Sequence, residues 1–402
     1  MKKLLLIFSV AAFLFGCTSE SKKEKIEDQF SDIFDKVKEE FAPDKRAKTF
    51  EAKLQVSENG DTIILRGSTT EPAAKDALIS KLSEEGIEAL DSMVTLPHPS
   101  LGDKIYGITS HASINFRTSP SYSSEAATQT VMGSPLQILE KRGGWTRAIT
   151  PEGYIAWVTS GSIAYMNEEQ FNNWRDAQKV IITSHYTLFR AGASETADVV
   201  SDGIMGNIVK FIATAGPYVK VELPDGREAY VLTSQVVDFA KWLSSRNPSP
   251  ENILTTAKQF KGFPYAWGGT SIKAMDCSGF TKTVFFLNGV IIERDASQQA
   301  KTGEDVEITE DFGNLKAGDL IFFGSKATED KTERVTHVGI YIANGEFIHA
   351  ATSVRINSLI PDAKNYYEGS NRLVRVRRIL TMIDKDADII SVIKHPWYVK
   401  NN

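Results

Sequence analysis

The stretch Met275-Asp276-Cys277-Ser278-Gly279-Phe280 organises the reading of this chain. Upstream lies an aromatic, glycine-rich run, Phe263-Pro264-Tyr265-Ala266-Trp267-Gly268-Gly269. Downstream, Thr281-Lys282-Thr283-Val284-Phe285-Phe286-Leu287 carries apolar residues at a spacing that predicts a buried helix. A glycine-rich loop entering a helix sets Cys277 at the helix N-terminus. Unpaired backbone N–H groups and the positive end of the macrodipole favour an anion there. The expectation is therefore a thiol of lowered pKa and raised nucleophilicity. The plain alternative is an inert buried cysteine, and the rest of the chain argues against it.

Two later runs bear histidines. Ala317-Gly318-Asp319-Leu320-Ile321-Phe322-Phe323 precedes Thr336-His337-Val338-Gly339-Ile340-Tyr341-Ile342. Ala343-Asn344-Gly345 then leads into Glu346-Phe347-Ile348-His349-Ala350. Apolar, β-branched runs punctuated by turn residues read as antiparallel strands. A helix begun by cysteine, packed on strands with two histidines, is the layout of a thiol hydrolase: one imidazole takes the thiol proton and a second polar group orients that imidazole. For His337 and His349 to cooperate they must share a sheet face. A two-residue turn at Asn344-Gly345 pairs Ile340 with His349 and parts the two rings. A three-residue loop, Ala343-Asn344-Gly345, pairs Gly339 with His349 and leaves His337 diagonal on the same face. We expect that loop, with Gly345 in the left-handed conformation. A zinc site of Cys277, His337 and His349 is the chemical alternative, since catalytic zinc uses three protein ligands. No metal or cofactor is expected.

The whole chain has 402 residues, 42% hydrophobic and 24% charged, which fits a globular protein of several domains. Its net charge of −5 gives no basic footprint for nucleic acid or an anionic membrane. Met1-Lys2-Lys3 followed by the apolar run from Leu4 to Phe15 reads as a secretion signal, too short to span a bilayer comfortably. The run closes on Gly16-Cys17 and resembles a bacterial lipoprotein signal, which implies lipidation of Cys17; an ordinary cleaved signal peptide is the alternative. With Cys17 modified, Cys277 is the lone thiol of an exported protein and has no internal disulfide partner.

Beyond the signal (1–17), residues 18–100 read as a small α+β domain of unassigned role. Ile26, Phe30, Ile33, Phe34, Val37 and Phe41 form one helical stripe, Thr49 to Leu65 a hairpin, and Pro72 to Glu85 a helix ended by Gly86. From about 104 an internal repeat appears. Phe116-Arg117 recurs as Phe189-Arg190, Met132-Gly133 as Met205-Gly206, Trp145 as Tyr218, Pro151-Glu152-Gly153 as Pro224-Asp225-Gly226, and Ala156-Trp157-Val158 as Ala229-Tyr230-Val231. Each pair is separated by 73 positions. Copies this short, rich in strands and turns, read as two small β-barrels, 104–165 and 178–238. Residues 167–179 read as a helical connector, and Trp242 to Glu251, with Pro248 and Pro250, as the linker into a last domain at 250–385.

These motifs carry two resemblances. Ile114-Asn115-Phe116-Arg117-Thr118-Ser119-Pro120 resembles the opening of bacterial SH3-like domains, and the second copy follows through the repeat. Pro264 to Gly269, Asp276 to Phe280, Gly318 to Phe323, His337 to Tyr341 and Phe347 to Ala350, in that order, resemble the NlpC-type cell-wall cysteine peptidases. The resemblance implies an α+β multidomain protein with a papain-like, circularly permuted C-terminal domain. It also implies Cys277 as nucleophile, His337 as base, His349 as orienting residue, and the Cys277 N–H with the Tyr265 hydroxyl as oxyanion donors. Signal, tandem SH3-like domains and peptidase together most resemble the subgroup that cleaves γ-D-glutamyl-diamino acid bonds in murein stem peptides with a free N-terminal L-alanine. That subgroup implies Asp276 as partner of the alanine ammonium, Trp267, Ser278 and Ser297 as pocket lining, and Tyr122 as the closing residue from the first SH3-like domain. The partners implied are peptidoglycan peptides and a membrane met through the N-terminal lipid, by a monomer in the cell envelope. A wall-binding protein with an inert peptidase domain and an acyl transferase on the same fold are the alternatives.

Overall fold

The computed structural model describes residues 22–57 and 61–400, so Cys17 and its signal lie outside the described residues. The chain divides into two compact units, Met1–Thr95 and Leu96–Asn402. Among the described residues no helix is long and apolar enough to cross a membrane.

In the first unit the expected stripe buries one face of helix Lys22–Phe41, with Ile26 and Val37 inside and Phe30, Ile33, Phe34 and Phe41 partly covered. Strands Phe50–Val56 and Ile63–Thr69 pair antiparallel. A third strand, Leu90–Thr95, joins parallel to the second, a pairing the local pattern does not announce. The parallel partner needs a crossover, which helix Pro72–Glu84 provides while burying Ala74, Leu78 and Leu82. Gly86 follows at φ 75°, where a β-carbon is costly.

In the second unit the 73-residue repeat recurs strand for strand. Tyr106–Thr109, Ser113–Arg117, Ala126–Val131, Pro135–Arg142, Trp145–Ile149 and Ile155–Thr159 map onto Lys179–Ile182, Tyr186–Arg190, Val199–Ile204, Ile208–Ala215, Tyr218–Glu222 and Glu228–Leu232. Both copies form seven-stranded sheets of equivalent strand order. Even a buttress repeats: Arg117 donates to the Ser124 carbonyl at 2.6 Å and Arg190 to the Ala197 carbonyl at 2.8 Å. Trp157 and Tyr218 are buried, whereas their repeat counterparts Tyr230 and Trp145 are half-buried. The copies join through Asn207, which donates to the Ala112 carbonyl at 2.9 Å, and the Ile208 N–H, which donates to the Met132 carbonyl at 3.0 Å. The connector helix is Glu168–Asp176, capped by Asn167. The segment read as linker differs: Trp242 is buried in helix Phe239–Ser244, because that helix packs Phe239, Trp242 and Leu243 against Ile181 and Ile208 before the prolines begin.

The remaining layer is helix on sheet. A six-stranded sheet runs in the order Glu304–Asp305, Leu373–Arg378, Leu320–Ser325, Arg334–Ala343, Glu346–Ala350, Val354–Ser358. Helix Cys277–Leu287 lies on it, packing Phe280 and Val284 among Val338, Ile340 and Ile348. Helix Pro250–Gln259 adds Ile253 and Ala257 to the same core. The tail past 385 also belongs here: Ile390–Ser391 pairs with Val290–Ile291, and Tyr398 is buried beside Trp242 and Phe239.

Candidate active site

Cys277 opens its helix, and Asp276 is the N-cap, its Oδ1 accepting from the Gly279 N–H at 2.7 Å. The helix starts here because this carboxylate satisfies one of the donors that a first turn leaves unpaired. Gly279 is required by contact, since a β-carbon there would stand 1.9 Å from the Gly269 carbonyl oxygen. The other carboxylate oxygen of Asp276 accepts from the Gly268 N–H at 2.9 Å. Both oxygens also meet Arg294, whose Nη2 lies 2.6 Å from Oδ2 and Nη1 3.2 Å from Oδ1. Nη1 reaches the Ser278 hydroxyl at 2.8 Å, and Nε reaches Thr128 of the first SH3-like copy at 2.9 Å. Arg294 is only 1% exposed. Burial alone would lower its pKa, but the Asp276 charge beside it prevails and the guanidinium is held protonated. Asp276 and Ser278, expected to meet substrate, are thus engaged inside the protein.

The thiol differs from expectation. Burial, followed by the nearby Asp276 charge, pushes Cys277 up to about 12, against the lowering expected from the helix N-terminus. Backbone hydrogen bonds from Val338 and Ser278 and the charge of Arg294 oppose that rise without reversing it. Desolvation of the anion exceeds what one helix end returns. The resting sulfur is a neutral thiol, held beside the residue that follows His337.

The histidine strands have the expected register through a different turn. Ile340 pairs with Ile348 and Tyr341 with Phe347, which brings Gly339 opposite His349. The turn, however, has two residues. Ala343 pairs with Glu346, and Asn344 and Gly345 adopt φ 51° and 78°. A bulge between Tyr341 and Ala343 absorbs the extra residue and returns both histidines to one face. Asn-Gly favours the two-residue turn because both tolerate positive φ. Gly339 makes room: a β-carbon there would lie 2.7 Å from the Phe347 ring and 3.2 Å from the His349 β-carbon. Nε2 of His337 and Nδ1 of His349 are 2.6 Å apart. His349 Nε2 is 2.9 Å from Asn357 Oδ1 on the neighbouring strand. Burial, then the neighbouring His349, lowers His337 to about 3. Burial also lowers His349 to about 4, despite its hydrogen bond to Asn357. Both rings are neutral at rest.

Around this centre, burial raises the pKa of the Tyr265 and Tyr367 hydroxyls, and an ionised Cys277 would raise both further, so both lie within its electrostatic reach. Tyr367 also packs against His337 and His349, with ring centroids at 6.1 and 5.2 Å. Trp267, 64% exposed, donates its Nε1–H to Glu125 at 2.7 Å. Glu125 belongs to the first SH3-like copy, which therefore borders the helix-on-sheet layer. Tyr122, expected as the closing residue, stands on the same copy. It is 74% exposed and packs edge-on against Trp145 of its own module at 4.9 Å. Tyr154 reaches across, its hydroxyl 3.3 Å from Asp295 Oδ2. Asp295 caps the short helix Ala296–Gln299, on which Ser297 is half-buried. Sequence reasoning missed Arg294, Asp295, Glu125, Tyr154 and Asn357. Only Arg294 and Asp295 left a signal, within the charged triplet Glu293-Arg294-Asp295 that follows the apolar run Val290-Ile291-Ile292.

Residues 262–378 match the NlpC/P60 family, and residues 112–164 match the bacterial SH3 domain. A γ-D-glutamyl-L-lysine dipeptidyl-peptidase of Bacillus cereus is 28% identical, with 58% of this chain and 70% of the relative aligned. A probable endopeptidase of Corynebacterium glutamicum is 30% identical, covering 47% of this chain and 90% of the relative. The crystal structure of an NlpC/P60 family protein from Bacillus cereus superposes with a TM-score of 0.57 over 68% of this chain and 99% of that one. At 22% identity this likeness concerns the fold alone.

Proposed function

The chain belongs to the NlpC/P60 family of cysteine peptidases, and from that premise we propose that it cleaves the γ-D-glutamyl–diamino acid amide of murein stem peptides whose N-terminal L-alanine is free. The observation that carries the substrate reading is the pair of contacts joining the first SH3-like copy to the peptidase layer, Trp267–Glu125 and Tyr154–Asp295. They give the cleft a carboxylate-bearing rim, suited to an uncapped ammonium, and they attach next to the Asp276–Arg294 pair behind Cys277. A carboxylate facing a desolvated ammonium is a strong, charge-assisted contact and disfavours an amine blocked by muramic acid. Because Arg294 pairs with Asp276 at 2.6 Å and also lies 3.7 Å from Asp295, we assign the ammonium to Glu125, with Asp295 bordering the pocket.

In this reading the neutral thiol loses its proton to His337 as sulfur attacks the γ-carbonyl, since neither a free thiolate nor an imidazolium exists at rest. The sulfur–carbon bond forms, the amide C–N bond breaks, and His337 passes the proton to the departing amine. Water, deprotonated by His337, then cleaves the thioester, and the proton returns to sulfur. The Cys277 backbone N–H, at the helix start, and the Tyr265 hydroxyl hold the oxyanion. Losing one such donor costs about 100-fold or more in kcat. The charged, apolar run that opens the sequence supports export as a lipoprotein anchored through Cys17.

The test is mass spectrometry of products from L-Ala-γ-D-Glu-diamino acid peptides, with free and with capped amino ends, using wild type and Cys277→Ala. We expect turnover of the free-amine peptide only, abolished by the substitution. Equal turnover of capped peptides would remove the assignment of substrate.

A further inference from the structure

Asn357 is half-buried beside His349, on strand Val354–Ser358, and no sequence motif singled it out. Its amide nitrogen donates to the Asn365 carbonyl at 2.7 Å, and its Oδ1 lies 2.9 Å from His349 Nε2. The orientation is forced: a backbone carbonyl only accepts, so the NH2 group faces Asn365 and the amide oxygen faces the ring. The Asn365 carbonyl is itself fixed, because it also accepts from the Ser358 N–H at 2.9 Å.

From that one carbonyl the proton positions follow along the chain. Asn357 Oδ1 only accepts, so His349 carries its proton on Nε2. A neutral His349 then has its lone pair on Nδ1, which lies 2.6 Å from His337 Nε2. That contact needs a proton on His337 Nε2, which leaves the lone pair of His337 on Nδ1. We propose that Asn357 is a positioning residue that sets the tautomer of both imidazoles, so that His337 offers Nδ1 as the base for the Cys277 thiol. The inference rests on Cys277 and His337 acting as nucleophile and base, and not on the identity of the bond cut.

The choice of amide over carboxylate follows. An aspartate at 357 would favour a doubly protonated His349, which donates from both nitrogens. His337 would then have to accept at Nε2 and carry its own proton on Nδ1, where it could not take the thiol's. The charged and titratable groups facing the pair are Arg355 on the Asn357 strand, Arg372 and Tyr367 from the segment beyond it, and Cys277 from the helix; Glu346 bonds Asn365 at 3.0 Å. Both arginines disfavour added positive charge, consistent with an uncharged partner at 357.

The experiment uses the full chain and two readouts that need no peptide substrate. Nitrogen-15 spectra of labelled histidine, assigned by His337→Asn and His349→Asn, report which ring nitrogens are protonated. Iodoacetamide alkylation at Cys277, followed by peptide mass, reports thiol activation against pH. We expect both rings protonated at Nε2 and unprotonated at Nδ1 near pH 7. Asn357→Leu should slow alkylation by about 10- to 100-fold, below the roughly 10⁴-fold loss that a fully wrong tautomer causes in a serine triad. Asn357→Asp should move the acid limb of alkylation upward by about 1–3 pH units. His349 protonated at Nδ1 in the wild type would overturn the proposal even if neither variant folds. So would an unchanged alkylation profile in both variants. A failed substrate assignment alone would leave these readouts intact.

Discussion

Replacing Arg294 by methionine isolates the buried pair behind the nucleophile. The substitution keeps an unbranched side chain of similar length and removes a guanidinium that is 1% exposed and bonded to Asp276, Ser278 and Thr128. Asp276 keeps its two backbone donors, Gly268 and Gly279, so the helix still begins at Cys277. Its charge loses its counter-ion in a site where its side chain is only 8% exposed. Breaking a buried ion pair by removing one partner costs about 3–5 kcal/mol. The double variant Asp276→Asn/Arg294→Met removes the stranded charge and keeps the cap, and should recover about half of that loss. The assay is urea unfolding of wild type, both single variants and the double variant, read as a thermodynamic cycle. A loss below about 1 kcal/mol for Arg294→Met, or a double variant no more stable than that single one, would refute the reasoning. Either result would mean that the charge of Asp276 is balanced elsewhere.

Four further outcomes follow from the geometry. His337 and His349, lowered from 6.5 to about 3 and about 4, bind fewer protons folded than unfolded across that interval. Their contribution to stability is full above pH 6.5 and is lost as pH falls toward those values, so His337→Gln/His349→Gln should flatten acid unfolding between pH 6 and 4, measured by circular dichroism. Cys277 has the opposite sign: raised from 9.0 to about 12, it loses stability as pH rises through that range, and Cys277→Ala should flatten the alkaline limb. Gly339→Ala drives a methyl group into Phe347 and His349 and should cost about 1–3 kcal/mol, with kcat falling more than KM rises in steady-state kinetics. Glu125→Gln, which keeps an acceptor for Trp267 but removes the charge, should raise KM for free-amine peptides about tenfold, a contact worth near 1.4 kcal/mol, with kcat little changed. An unchanged KM would take Glu125 out of the ammonium pocket.

Local pattern was enough to read much of this chain. Apolar periodicity marks the helices that carry Ile26 and Phe280, turn residues mark the strands, and a constant 73-residue offset marks two copies of one sheet-rich module. Short-range rules also brought Cys277 to a helix start and Gly339 opposite His349, because helix caps and strand alternation depend on near neighbours in the sequence. The turn was misread for the same reason: Asn344-Gly345 looked like a choice between two loops, whereas a bulge one residue earlier let the two-residue turn and the needed register coexist. What sequence alone left undetermined depends on groups far apart along the chain. Arg294 neutralises Asp276 from 18 positions away and ties it to Thr128, 166 positions from the arginine; Tyr154 meets Asp295 across 141. Asn357 orients His349 only because a later loop brings back the Asn365 carbonyl. Protonation states belong to the same class. Whether a thiol rests as an anion depends on how much water the folded chain removes around it, and that quantity does not exist until distant segments have packed together.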